Sequence, residues 1–392
     1  MKKYDFDEII DRKNTGCVKY DGYQKIYGAD GLIPLWVADM DFRSPDFVLE
    51  AIEKRMQHPV LGYFIHSDEF YQSIIGWMQR RHQWEIEKDW IHFAPGIVPG
   101  LAFIVQAFTQ KGDKVLMQTP VYHPFYYVVE NQKRKIVRNP LRLVEDHFEM
   151  DYDDLDRKLA AGVKMMILCN PHNPVGRCWT RQELQCVGEL CVKHHCLLVS
   201  DEIHSDLIMP GYKHTPMASL SEEFAHNTIT CMAPSKTFNI AGLATSEIII
   251  SDESLRRQFQ KLMYDGIHIF VGNIFGEIAL EACYTHGDEW LNQLLGYLQQ
   301  NVDFVRDFIR ENLPQVTTFR HEATYLPWLD FTRLGLGHEE LFRLLVDKAG
   351  VALNDGLIFG EEGRCHFRLN VACPKVTLER AMSQISTALA RS

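Results

Sequence analysis

The chain has 392 residues, 46% of them hydrophobic and 24% charged, a composition that excludes wholly disordered, collagenous and coiled-coil chains and allows two or three domains around a large core. Its 52 acidic side chains against 41 basic ones give a net charge of −11. A nucleic-acid or anionic-membrane partner would call for a basic footprint, so neither is expected. The opening MKKYDFDEIIDRKN turns acidic without an apolar run, so no secretory leader is expected. No stretch approaches the ~18 apolar residues of a membrane span. The ten cysteines contain no C-x-x-C pair, and Cys169, Cys196 and Cys231 lie inside apolar runs. Cys186, Cys191 and Cys196 are spaced more widely than zinc ligands usually are, so no metal site is expected and the compartment reads as reducing and cytoplasmic.

Up to residue 45 the chain is rich in glycine and aromatic residues, with turn signals at Asp21-Gly22 and Asp30-Gly31. Apolar spacing predicts a helix from about Pro45, with Phe47, Val48, Ala51 and Ile52 on one stripe, and another from Phe70 to Arg81. Strands are expected over 114–118, 164–169, 196–200, 228–232 and 247–250. TRQELQCVGELCVKHH fits a helix with Leu184, Val187, Leu190 and Cys191 inward. Strands alternating with helices predict an α/β chain whose mostly parallel central sheet is covered by helices. From about Trp290 a long helical pattern leads into an α+β tail ending near Leu389. The expected division is a large domain over 46–286 and a smaller α+β domain formed by 1–45 and 287–392.

The unusual polar residues fall at strand ends. KMMILC runs into Asn170-Pro171-His172-Asn173, CLLVS into Asp201-Glu202-Ile203-His204, and TITCM into Ala233-Pro234-Ser235-Lys236. Open α/β sheets bind ligands at the carboxyl ends of their strands, so an amide, a carboxylate and an amine reach one edge. A carboxylate leaving an apolar run is desolvated at a cost unless a cation meets it. Lys236 is the candidate cation, either in a chemical site or in a structural ion pair with helix caps at Asn173 and Asp201. The turn from Phe93 to Gly100 precedes the helical LAFIVQAF. Its backbone N–H groups could hold a phosphate, or it is only a turn. His204 either faces the cleft of Asp201 or is satisfied at a helix start. The sequence has no G-x-x-x-x-G-K-[ST], no G-x-G-x-x-G after a strand, no G-x-S-x-G and no H-E-x-x-H. That argues against P-loop, dinucleotide, serine-hydrolase and zinc-protease chemistry.

Taken together, LWVADMDF (35–42), GYF (62–64), GIVPG (96–100), PVYHPF (120–125), CNPHNPVGR (169–177), SDEIHSDL (200–207), APSKTFNIAGL (233–243), TYLPWLDF (324–331) and FRLNVACP (367–374) span nearly the whole chain. In order and spacing they resemble the fold-type I pyridoxal-phosphate enzymes of the aspartate aminotransferase superfamily. Within it they are most similar to the MalY/PatB branch of cystathionine β-lyases, which are C–S lyases. The resemblance implies an aspartate-aminotransferase-like fold and pyridoxal 5'-phosphate as cofactor. Lys236 would carry the cofactor covalently, with Asp201 at the pyridine nitrogen, Asn173 at the phenolic oxygen and His204 in the same site. Tyr122 would stack on the ring and could serve as an acid. The N–H groups of Ile97 and Val98, with Ser235, would hold the phosphate. Tyr63 would reach that phosphate from the neighbouring subunit, which implies a homodimer with its active site at the interface. Arg368 would receive the α-carboxylate of a small amino-acid substrate, because a guanidinium matches a carboxylate bidentately.

Some positions depart from the superfamily pattern. Ala244 stands where many members have a phosphate-gripping arginine, and Ala233 where a serine is common. The grip would therefore rest on Ser235, Tyr63 and backbone. DEIH, ending at His204, is typical of the C–S lyase branch. The implied activity is β-cleavage of L-cystathionine or a related cysteine S-conjugate to a thiol, pyruvate and ammonia. Transamination between an amino acid and a 2-oxo acid is the alternative, and it uses the same residues. In either case Lys236 acts as a base near neutral pH only if burial depresses its pKa.

Overall fold

The computed structural model describes residues 2–391. In chain order its strands are β1 (Ile33–Leu35), β2 (Ile91–Ala94), β3 (Lys114–Thr119), β4 (Lys135–Pro140), β5 (Arg142–Val144), β6 (His147–Glu149) and β7 (Val163–Cys169). They continue with β8 (Leu197–Asp201), β9 (Thr228–Met232), β10 (Ser246–Ile249), β11 (Thr317–Thr318), β12 (Trp328–Asp330), β13 (Val351–Asp355) and β14 (His366–Arg368). Seven of them form the main sheet in the order β2-β10-β9-β8-β7-β3-β4. Only β10 runs against its neighbours, and the other pairs are parallel. A second sheet, β1-β13-β14-β12-β11, joins the amino-terminal segment to the tail, with β1 parallel to β13. β5 and β6 make a separate hairpin.

The central strands form where β-branched and other apolar residues run together. β9 is buried along its whole length, and β7 at all but Lys164. That is how strands read when helices cover both faces of a parallel sheet. The helix Arg181–Lys193 begins at a capping box in which Thr180 and Glu183 satisfy each other's backbone N–H. The helix Asp68–His82 starts from Ser67, whose hydroxyl accepts from Phe70 N. Against the sheet lies the helix Ile97–Phe108, where Gly100 permits the approach. A Cβ there would meet Ile248 Cδ1 at 2.9 Å and Ala94 Cβ at 3.3 Å. Among the described residues no helix is long and apolar enough to cross a membrane.

All five expected strands form, with ends displaced by one residue at most. The strands not anticipated are short or marginal. β4, at the sheet edge, buries only Asn139 and leaves its other residues exposed or half-buried, and β2 has four residues, one of them His92. Neither presents the continuous apolar run that marks a central strand. The tail strands have two to five residues, too few to show a period.

Candidate active site

Strand register gathers the polar residues. Cys169 at the end of β7 lies opposite Asp201 at the end of β8, and Asp201 lies opposite Cys231 of β9. The three following turns therefore open at one edge and line a cavity of about 210 Å³. Of the expected residues, Ile97, Val98, Tyr122, Asn173, Asp201, His204, Ser235 and Lys236 all face it. Asp201 is 3% exposed, and burial pushes its carboxyl up to about 7, with Glu202 adding to the effect. A hydrogen bond from Ile203 N at 3.2 Å opposes that rise. Burial pushes the Lys236 amine down to about 8, helped by the Arg368 cation and opposed by Asp39 and Asp201. His204 is driven well below its usual range by burial, Lys236 and Arg368, so its imidazole is neutral. Burial raises Tyr122 and keeps it a phenol.

At one end of the cavity the helix Ile97–Phe108 begins. Gly96 adopts φ +113°, a conformation that L side chains rarely take, and it turns the chain sharply into the helix. The N–H groups of Ile97 and Val98 have no intrahelical acceptor and carry the positive end of the helix dipole. Thr245 lines the same cavity, and its buried hydroxyl has no partner among the described residues. Free amides, an orphan hydroxyl, a buried carboxylate and a depressed amine form a donor set that fits an anionic, cationic-ring aldehyde cofactor of the kind the sequence implies.

The structural ion pair considered for Asp201 and Lys236 is not what forms. Lys236 Nζ instead donates to the Ala38 carbonyl at 2.6 Å. Asn173 and Asp201 do not open helices either. Asp201 caps a turn at Ile203, and Asn173 Oδ1 accepts from Arg368 Nη1 at 3.0 Å. Ala38 belongs to a strap, residues 36–42, that crosses the site. Asn370 donates to the carbonyls of Val37 and Asp39, both at 2.6 Å, and Asn239 donates to those of Met40 and Phe42. Arg12 and the fully buried Lys19 pair with Asp39 and Asp41. Tyr325 also donates to Ala38 O, at 3.0 Å.

Arg368, at the end of β14, is 2% exposed. Its Nη2 donates to the Trp36 carbonyl at 3.0 Å, and its Nε has no partner among the described residues. No carboxylate among the described residues pairs with it, and its hydrogen bonds go to an amide and a backbone carbonyl. Burial pushes this guanidinium down to about 10. It faces a second cavity of about 450 Å³, which shares Ala38, Tyr122 and Lys236 with the first. Tyr63 alone of the expected residues lies outside both cavities, fully exposed on a stretch outside any helix or strand.

Sequence reasoning missed the strap's holders and Thr245. Thr245 directly follows the alanine that replaces an arginine, and a search for a substitute hydroxyl beside it would have found it. Asn370 and Tyr325 sit inside quoted motifs, but their partners are backbone carbonyls, which carry no side-chain signature.

Residues 31–385 match the model of the family described as aminotransferase class I and II. The chain is 43% identical over 386 residues to cystathionine beta-lyase PatB of Bacillus subtilis (strain 168), covering 98% of this chain and 99% of that protein. The fold is similar, at a TM-score of 0.96, to cystalysin from Treponema denticola, whose crystal structure contains pyridoxal 5'-phosphate. The identity is 37%, and all of both chains is covered. It is similar at 0.93 to the PLP-bound C–S lyase from Staphylococcus hominis, with 33% identity and 99% and 98% of the two chains covered.

Proposed function

The chain belongs to the aminotransferase class I and II family, and we propose that it is a C–S β-lyase that cleaves L-cystathionine or a related cysteine S-conjugate to a thiol, pyruvate and ammonia. Homocysteine is the thiol in the first case. The enzyme depends on pyridoxal 5'-phosphate, which when bound supplies an electron sink for charge developing at the substrate α-carbon. The observation that carries the lyase reading is the cavity of about 450 Å³ beyond Lys236 and Arg368. It gives a leaving group room beside the cation suited to the α-carboxylate. Similarity over nearly the full length to proteins named as lyases supports β-cleavage over transamination.

In this reading Lys236 would hold the cofactor covalently, and its free amine would take the substrate α-proton. An amine pushed down to about 8 has a useful neutral fraction near pH 7. The Ala38 carbonyl gives the released Nζ a hydrogen-bond acceptor. Asp201 would pair with the ring nitrogen, and a cation set against its carboxylate would favour the ionised form. Asn173 would meet the phenolic oxygen, Tyr122 would stack on the ring and serve as an acid, and neutral His204 flanks the site. Ile97 and Val98 N–H, Ser235 and Thr245 would hold the phosphate. Arg368 receives the substrate α-carboxylate through its free edge.

The assembly is a homodimer in this account, with Tyr63 completing the partner's phosphate site. The exposed apolar Val60, Leu61, Tyr63 and Ile65 on one stretch support an interface there. Ten free cysteines support a reducing, cytoplasmic setting. The two separate sheets support the division into 46–286 and 1–45 with 287–392. The test is to incubate the cofactor-loaded enzyme with L-cystathionine and other cysteine thioethers without any 2-oxo acid. Continuous pyruvate release is expected, and one half-turnover that resumes only when a 2-oxo acid is added would make the enzyme an aminotransferase.

A further inference from the structure

The walls of the cavity beyond Arg368 specify more than its size. Resting on the lyase reading above, we infer that this cavity receives the sulfur substituent of the substrate and selects uncharged, largely apolar substituents over those ending in a carboxylate. Ile26, Tyr27, Trp36, Val37, Phe342 and Ile358 line it. Their polar atoms are turned away or committed. The Tyr27 hydroxyl donates to Leu353 O at 2.8 Å while its ring stacks on Phe342, with centroids 5.7 Å apart. The Trp36 indole N–H donates to Lys19 O at 3.1 Å.

The charged and polar lining groups are few, and most are already engaged. Lys236 and Arg368 are the cations there, and the reaction uses both. Asp355 is the lining anion. Its Oδ1 lies 2.9 Å from His338 Nε2 and accepts from Leu357 N at 2.8 Å. Asn354 donates to the Trp36 carbonyl at 3.3 Å. His123 is neutral because burial pushes it down to about 4, and its Nδ1 has no partner among the described residues. That nitrogen leaves room for one uncharged hydrogen-bonding group on the substituent. A carboxylate at the far end of the substituent would lose its water, meet no uncommitted cation and approach Asp355. An alkyl or aryl group would bury its surface against apolar walls at no such cost.

The experiment measures pyruvate release by the cofactor-loaded enzyme from S-ethyl-L-cysteine, S-benzyl-L-cysteine, S-(2-carboxyethyl)-L-cysteine and L-cystathionine, without a 2-oxo acid. The two uncharged thioethers are expected to exceed S-(2-carboxyethyl)-L-cysteine in kcat/KM by roughly tenfold or more, with L-cystathionine, whose far end sets an ammonium beside its carboxylate, serving as the check on lyase activity. Equal or reversed values overturn the inference and leave the lyase reading standing. Pyruvate from none of the four overturns the lyase reading, and the inference with it. As a second arm, Ile26→Arg adds a cation at the mouth, where Ile26 is 57% exposed and a charged side chain can be accommodated. The ratio of S-ethyl-L-cysteine to S-(2-carboxyethyl)-L-cysteine should narrow by about tenfold, toward the carboxylate. An unchanged ratio also overturns the inference.

Discussion

Replacing Arg368 with methionine separates the cost of a buried cation from its use. The guanidinium donates to Asn173 Oδ1 and to Trp36 O, both at 3.0 Å, while its Nε stays unpartnered among the described residues. A hydrogen bond involving a charged group contributes roughly 1.5–3 kcal/mol, so losing a two-bond grip on the substrate carboxylate costs about 3–6 kcal/mol. That corresponds to a fall of about two to four powers of ten in kcat/KM. For stability the balance is different. Burial pushes the cation down to about 10 from its ordinary 12.5, a penalty on the order of 3 kcal/mol. Losing the two hydrogen bonds, at the same roughly 1.5–3 kcal/mol each, cancels or exceeds that relief, so the unliganded variant should melt at the same temperature or a few degrees lower. Pyruvate kinetics and thermal unfolding, run on the same preparations, test both halves. A kcat/KM within about threefold of the parent would refute the carboxylate role. A large drop in Tm would make Arg368 a structural tie instead.

Asp201→Ala should fold and yet lose nearly all turnover, and a fully active variant would remove Asp201 from the ring nitrogen. In the cofactor-free protein the raised Asp201 carboxyl binds a proton that the unfolded chain has released. Its stabilisation is therefore full below about pH 4 and lost as the pH rises through about 7. Urea unfolding across that range should show a smaller fall for Asp201→Asn, and identical curves would contradict the sign. Tyr63→Phe should leave stability unchanged, because the side chain is fully exposed in the single chain, but weaken cofactor retention on dialysis. Undiminished retention counts against a contact across the interface. Thr245→Val should lower affinity for pyridoxal 5'-phosphate by about tenfold while sparing pyridoxal, which lacks the phosphate. Equal losses for both ligands would mean a packing defect.

The parts of the site that the sequence made legible are those at the ends of long buried strands. β7, β8 and β9 are apolar runs bounded by polar residues, so Asn173, Asp201 and Lys236 could be assigned to one edge before any coordinates. The direction of the amine's pKa shift also follows from burial, its largest cause, with the Arg368 cation adding to it. What stayed hidden depends on contacts between distant segments. The partner of Lys236 is a backbone carbonyl 198 residues away, and Asn370 reaches the strap across more than 330 residues. Neither interaction leaves a spacing to read. β4 was hidden for another reason, since an edge strand with charged, half-exposed residues lacks the pattern of its buried neighbours.

The central claim turns on the fate of the substrate's sulfur and nitrogen. The most direct measurement is a product balance over many turnovers, with pyruvate, ammonia and thiol quantified per active site in the absence of any 2-oxo acid. The account predicts all three in equal amounts, rising together far beyond one equivalent. Formation that stops at one equivalent per Lys236, with the nitrogen retained by the enzyme and no thiol released, would contradict it.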